Sequence, residues 1–258
     1  MSLKQVYHLG LSKRKTRGAR FAFLTGPPER VPEIAKAINS KSRELAWIRE
    51  FRTWSGKFRG EPVLVTSTGI GGPSTSIAID ELAQLGVKTF IRIGTTGAIQ
   101  EDIEVGDVII TTGSVRLDGA STHYAPIEYP AVADYEVTHA LIKAAKESGL
   151  KFRVGITAST DTFYPGQERY DSYSGYVVKR LQGSMKEWQK LHVLNYEMES
   201  SALLTIAAAL GLKAGCITGV VVNRTRREEI KQRDVKAVEE NAIAVAIKAM
   251  EFLIPAER

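Results

Sequence analysis

The chain has 258 residues, a formal net charge of +6, 43% hydrophobic and 25% charged side chains. That composition is ordinary for a globular protein with a sizeable core and excludes the disordered and fibrous classes. The single cysteine, Cys216, excludes an internal disulfide and a cysteine-rich zinc site; the four histidines show no metal-ligand spacing, and no apolar run is long enough to span a bilayer.

In chain order, Met1 to Lys15 lacks the apolar core of a signal peptide, so the expected location is the cytoplasm. Lys13, Arg14, Lys15, Arg17 and Arg20 form a basic cluster without interleaved aromatics, which reads as a solvated face. No nucleic-acid or membrane partner is expected, and a positive field favours a small anion. Arg20 to Thr25 reads as a strand and about Glu29 to Asn39 as a helix. Gly26 and Arg30 flank that helix start, a natural anion position, although Pro27 and Pro28 also suffice simply to open a helix. Phe51 to Phe58 and Pro62 to Thr68 read as a hairpin around Gly60. The turn from Thr68 to Ser74 departs from the dinucleotide fingerprint and lacks the ending of a P-loop.

A helix from about Ser74 to Leu85 leads through Gly86 to the apolar run Thr89 to Gly94, which reads as a buried strand with Arg92 in its middle. The chain is then expected to turn through Thr95, Thr96, Gly97 and Ala98. Arg92 keeps its charge and is costly to bury alone, and no acid lies beside it in sequence. It requires either a distant carboxylate or an anionic ligand. Strands follow at Val108 to Val115, Phe152 to Ser159 and Ala214 to Val222. Helices follow at Ala133 to Ser148, Ser200 to Leu210 and about Asp234 to Phe252. Such alternation predicts a three-layer α/β/α sandwich around a central mixed sheet, with ligands at the carboxyl ends of the strands. No linker composition interrupts the pattern, so residues 1–258 are expected to form one domain.

In the loop from Asp161 to Tyr170, Gln167 offers donor and acceptor together, which suits an amide-like base edge. Arg169 suits a carbonyl or a developing anion, and Phe163 supplies a stacking face. A polar loop is the plain alternative. Asn195 to Ser201 is expected to open the apolar helix. Glu197 and Glu199 there either complement the helix dipole or grip vicinal hydroxyls. Arg224 ends the last strand, and Arg226, Arg227, Glu228 and Glu229 read as a solvated loop.

Together, Ser67 to Ser76, Arg92 to Ala98 and Asp161 to Tyr170, in this order and at these separations, resemble the signatures of the nucleoside phosphorylase-I family. The likeness extends from Val6–Leu11 to Val222–Thr225, and the Gln-x-Arg pair resembles the pyrimidine-reading element of its uridine-cleaving branch. Purine-specific relatives carry an acid where this chain has Asn223 and Arg224. The resemblance implies reversible phosphorolysis of uridine to uracil and ribose 1-phosphate through an oxocarbenium-like transition state. Inorganic phosphate is then the co-substrate, and no cofactor is required. A nucleoside phosphorylase of broader pyrimidine or purine specificity is the enzyme alternative, and a nucleoside- or nucleic-acid-binding protein without catalysis is the alternative of another class.

Among site residues, the resemblance implies catalytic roles for Arg92, Gln167, Arg169 and Glu199. It implies phosphate binding by Gly26, Arg30, Arg92 and Thr95, with Arg49 lent by a neighbouring subunit. Base binding falls to Thr96, Gly97, Phe163, Gln167, Arg169 and Arg224. Ribose binding falls to Met198 and Glu199, with His8 of the neighbour at the 5′ end. Glu50, the Ile70 carbonyl and Ser74 match a monovalent-cation site, a structural K+, at the dimer interface of relatives. A dimer is implied as the working unit, three of which make a hexamer. Pro27, an extra residue before Arg49, Tyr7, Trp47 and a missing proline stretch after Arg227 depart from the family pattern.

Overall fold

A computed structural model describes residues 5–226, 228 and 232–254. Helix α1 (Lys13–Thr16) precedes strand β1 (Phe21–Thr25) and helix α2 (Arg30–Ile38). Strands β2 (Arg43–Ile48), β3 (Phe51–Phe58) and β4 (Glu61–Ser67) form an antiparallel run and lead into α3 (Gly72–Leu85) and β5 (Thr89–Ala98). Then come β6 (Val108–Leu117), β7 (Ala131–Val132), α4 (Tyr135–Ser148), β8 (Phe152–Thr160) and α5 (Ser184–Lys190). Strand β9 (Asn195–Glu197), α6 (Ser200–Ala209), β10 (Lys213–Asn223) and α7 (Gln232–Leu253) complete the fold. No described helix is long and apolar enough to cross a membrane.

The strands form one mixed ten-stranded sheet in the order β10-β6-β8-β9-β5-β1-β4-β3-β2, with β7 on β6. Because β10 also pairs with β5, strands β5, β10, β6, β8 and β9 close into a ring. Strands β4, β1, β5 and β10 run parallel, so their carboxyl ends meet on one side. Strand β1 is buried along its whole length, as a parallel strand covered on both faces must be. Its Phe21 and Phe23 join one apolar layer with Val31, Val137 and Ala246, from α2, α4 and α7. Its Ala22 and Leu24 join the opposite layer with Ile79 of α3 and Leu203 of α6. Those two layers around the sheet are the expected three-layer sandwich. Helix α4 starts at the Asp134 side chain, which accepts from the Val137 amide at 3.0 Å, and stops at Gly149 with φ 67°.

The structure corrects two local expectations. Thr95 to Ala98 is strand, not turn, because β5 is held there by β10 on one side and by β9 on the other (Gly97 opposite Tyr196). Asn195 to Glu197, expected to open the apolar helix, is likewise strand β9, while the helix itself starts at Ser200 as expected. Strand β2 and helices α1 and α5 are additional elements.

Candidate active site

A cavity of about 610 Å³ opens at the shared carboxyl ends of the parallel strands. Gly26, Pro27, Pro28 and Arg30 line it after β1, Gly69 and Ile70 after β4, and Arg92 with Gly94 to Gly97 from β5. Phe163, Gln167 and Arg169 close one end, and Tyr196 to Glu199 form the floor between β9 and α6.

At the cationic end, Arg92 is 6% exposed. Its Nε donates to Glu197 at 3.1 Å and its Nη2 to Glu199, whereas the buried Nη1 has no described protein partner. The ambiguity over Arg92 thus resolves in two parts: a distant acid pair holds one side of the fork, and one nitrogen is left over. Gly94 is needed here, because a Cβ at that position would lie 3.0 Å from Nη2. Burial lowers the Arg92 pKa, but Glu199 and Glu197 outweigh it and hold the group above its usual range. Arg30 donates to Thr25 Oγ1 at 3.3 Å and pairs with Glu239 on α7. Burial and the nearby Arg92 together hold its pKa below the usual range despite Glu239. Two cations that disfavour one another across a cavity favour an anion between them.

The two acids differ. Glu197 accepts from the Glu199 amide (2.8 Å), the Ser200 amide (2.9 Å) and Ser200 Oγ (2.6 Å), and so also caps α6. Burial pushes its pKa up, but Arg92 and these hydrogen bonds outweigh it and hold the carboxyl below the ordinary range. Glu199 accepts from the Gly71 amide at 2.6 Å, at a backbone position with φ 93° suited to glycine. Burial and the charge of Glu197, acting against Arg92, hold Glu199 above the ordinary range. Cys216 lies beside Arg92 in the β10–β5 register; burial first, then Glu197, pushes its thiol up to about 12, so it is no nucleophile.

At the opposite end, Gln167 and Arg169 are 4% and 8% exposed, with the Arg169 guanidinium 4.3 Å from the centre of the half-exposed Phe163 ring. Arg169 Nη1 donates to Glu228 at 2.6 Å, while its buried Nε has no described partner. Arg224 sits behind the lining: it donates to the Gln167 carbonyl at 2.9 Å and to Glu228 at 3.0 Å. Gly97 leaves room for it, since a Cβ there would meet the Arg224 stem at 3.2 Å. Glu228, exposed as expected, also bridges the two arginines. Arg226 pairs with Glu104 at 2.9 Å, and Arg227 and Glu229 lie outside the described residues. The Thr96 hydroxyl donates to the Tyr196 carbonyl at 2.6 Å and accepts from Asn195 at 2.7 Å, so it ties β5 to β9.

His8 and Arg49 do not line this cavity. His8 Nδ1 pairs with Glu81 at 2.7 Å, and exposed Tyr7 packs edge-on against the His8 ring at 4.8 Å. Arg49 is exposed with φ 54°, and Trp47 Nε1 donates to its carbonyl at 3.0 Å. The Ser74 hydroxyl donates to the Ile70 carbonyl at 3.3 Å, and Glu50 packs against Gly69, where a Cβ would lie 2.9 Å from its Cγ. No cluster of three or more His, Cys, Asp or Glu residues suited to a metal occurs among the described residues.

The sequence pattern of the Phosphorylase superfamily matches residues 20–254. The chain is 57% identical over 254 residues to a uridine phosphorylase of Escherichia coli (strain K12), covering 98% of this chain and 100% of that one. It is 49% identical over 235 residues to a uridine phosphorylase of Thermococcus kodakarensis, covering 91% and 82%. It is 36% identical over 199 residues to a guanosine phosphorylase of Halorubrum lacusprofundi, covering 77% and 76%. A match that reaches from β1 into the end of α7 takes in every strand of the cavity, and the chain belongs to the phosphorylase superfamily.

Proposed function

We propose that this protein is a pentosyltransferase that catalyses the reversible phosphorolysis of uridine to uracil and ribose 1-phosphate. The observation that carries the reading is one cavity with an arginine nitrogen that has no partner among the described residues at one end and the buried Gln167–Arg169 pair at the other. The near-full-length identity to proteins named uridine phosphorylase supports it.

The chemistry needs no protein nucleophile. As the bond from C1′ to the base nitrogen breaks, its electron pair leaves with uracil and the sugar becomes cationic. Phosphate, held by Arg92, Arg30, Thr95 and the Gly26 backbone, stabilises that cation and forms the new bond from its oxygen to C1′. Glu199 and Met198 hold the ribose. Gln167 and Arg169 stabilise the departing uracil anion, with Phe163 against its face and Arg224 supporting the carbonyl side. Catalysis is then positioning and electrostatic stabilisation. Thr96 and Gly97 shape the base end.

The working unit in this reading is a two-fold dimer, three of which form a hexamer, in which each 1–258 chain is a single domain. Its neighbour lends Arg49 to the phosphate and His8 to the 5′ end; exposure of Arg49 and the pinning of His8 by Glu81 are compatible with presentation to a second chain. Glu50, the Ile70 carbonyl and Ser74 hold a structural K+ at that interface, and the enzyme works in the cytoplasm. The test is uridine with and without phosphate at neutral pH, with products identified. Phosphate-dependent release of uracil and ribose 1-phosphate is expected; turnover of inosine or guanosine in place of uridine overturns the base assignment.

A further inference from the structure

The two base-end residues Gln167 and Arg169 are separated by Glu168, whose backbone is left-handed at φ 51° and ψ 49°. This conformation disfavours any residue with a Cβ, and here it turns Glu168 away from its two buried neighbours. The side chain instead crosses to the segment that begins α5. One carboxylate oxygen accepts from the Gly183 amide and from Tyr170 Oη (3.2 Å), and the other from the Met185 amide at 2.7 Å. Helix α5 in turn packs Met185 and Trp188 against a small buried cluster of Ile99, Ala158, Val193 and Tyr196, the last of which lines the cavity. The local backbone is tied as well, by the Glu168 amide to Pro165 (3.1 Å) and the Arg169 amide to Tyr164 (2.8 Å).

We propose that Glu168 is a positioning residue for base recognition, a clamp that sets the height of Gln167 and Arg169 over the floor through α5. The inference rests on the uridine reading of the site. Charge-assisted hydrogen bonds to backbone amides are short and directional, so the carboxylate fixes the turn where the loop from Thr160 to Ser184 has little regular structure of its own. The phosphate end is built on β1 and β5, and among the described residues no hydrogen bond of the Glu168 side chain reaches it.

The test compares Glu168→Gly and Glu168→Gln with the parent enzyme in steady-state assays that vary uridine and phosphate separately. Glycine keeps the left-handed backbone and deletes only the clamp. Its KM for uridine is expected to rise about ten- to a hundred-fold, the scale of a small misplacement of binding groups, with KM for phosphate within about two-fold. Discrimination of uridine against cytidine is expected to fall in parallel. Glutamine keeps one acceptor oxygen and is expected to restore part of the loss. An unchanged uridine KM in Glu168→Gly overturns the proposal. So does an equal rise in both KM values with a lowered Tm, which marks a general structural role. Failure of the parent enzyme to cleave uridine with phosphate is a separate result; it overturns the functional reading and this inference with it.

Discussion

Arg92 donates to the Glu199 carboxylate through Nη2 while its Nη1, buried in the same fork, has no described protein partner. The acid pair fixes the plane of the guanidinium without consuming all its donors. A group so held needs no reorganisation when an anion arrives, and this is the condition under which one electrostatic contact matters most.

Arg92→Ala is expected to cost ~2–4 kcal/mol of transition-state stabilisation, read as kcat/KM with phosphate varied. It also leaves two buried carboxylates without their cation, at a stability cost of about 3–5 kcal/mol. Calorimetry checks the second effect. Arg92→Lys restores charge but not the fork and is expected to fall between. Full activity in Arg92→Ala contradicts the assignment.

Glu197 and Glu199 are expected to respond to pH in opposite directions. Glu199 is held above the ordinary range by burial and Glu197, so as pH rises past about 4.3 its native state gives up the proton later than the unfolded chain. Its contribution is full below about pH 4.3 and is lost as pH rises through the raised value. Glu199→Gln is therefore expected to melt higher than the parent at pH 7, to converge with it below about pH 4, and to lose activity. For Glu197, burial is outweighed by Arg92 and Ser200, so its contribution is present above about pH 4.3 and is lost as pH falls through the lowered value. Glu197→Gln is expected to melt lower at pH 7, with the gap closing in acid. Melting curves from about pH 2 to pH 8 decide; a lower Tm for Glu199→Gln at pH 7 refutes the account.

Glu228 bridges Arg169 and Arg224. Burial raises its pKa, but the two arginines outweigh it and hold the carboxyl below the ordinary range, so it is ionised at neutral pH. Glu228→Gln keeps the shape and removes the charge. The KM for uridine is expected to rise about ten-fold, on the scale of one hydrogen bond to a charged group, with little change for phosphate. Equal kinetics for both proteins would show the bridge to be incidental.

Site sharing between subunits is tested by mixing two inactive variants, Arg49→Ala and Gln167→Ala, unfolded and refolded together. If Arg49 acts in the neighbour's site, random pairing in a two-fold dimer restores about a quarter of full activity. If each chain carries its own Arg49, the mixture stays inactive.

The frame of the fold was legible because its strands and helices are locally consistent: Phe21 to Leu24 is apolar throughout, and Gly86 and Gly149 stop their helices at left-handed positions. Strand β2 was not, because its residues are half-buried or exposed and carry no apolar alternation. Strand β9 has only three residues and abuts a helix, so Glu197 read as a first-turn acid. Arg92 pointed to a partner, but Glu197 and Glu199 lie 105 and 107 residues away, beyond any local pattern. Glu228 was hidden in a run of charges whose solvent face was the simpler reading. The Gln167–Arg169 pair stood out by its spacing, and both residues line the cavity, while the left-handed turn between them is a property of Glu168.

The closure of β5, β10, β6, β8 and β9 into a ring divides the cavity into parts with different freedom to change. Arg92, Thr95 and Tyr196 are set on ring strands, where a shift in one backbone propagates around a closed hydrogen-bonded circuit. Phe163, Gln167 and Arg169 hang from a loop outside it. Under the proposed function, transplanting residues 161–170 between relatives is expected to carry base preference and leave the phosphate end intact.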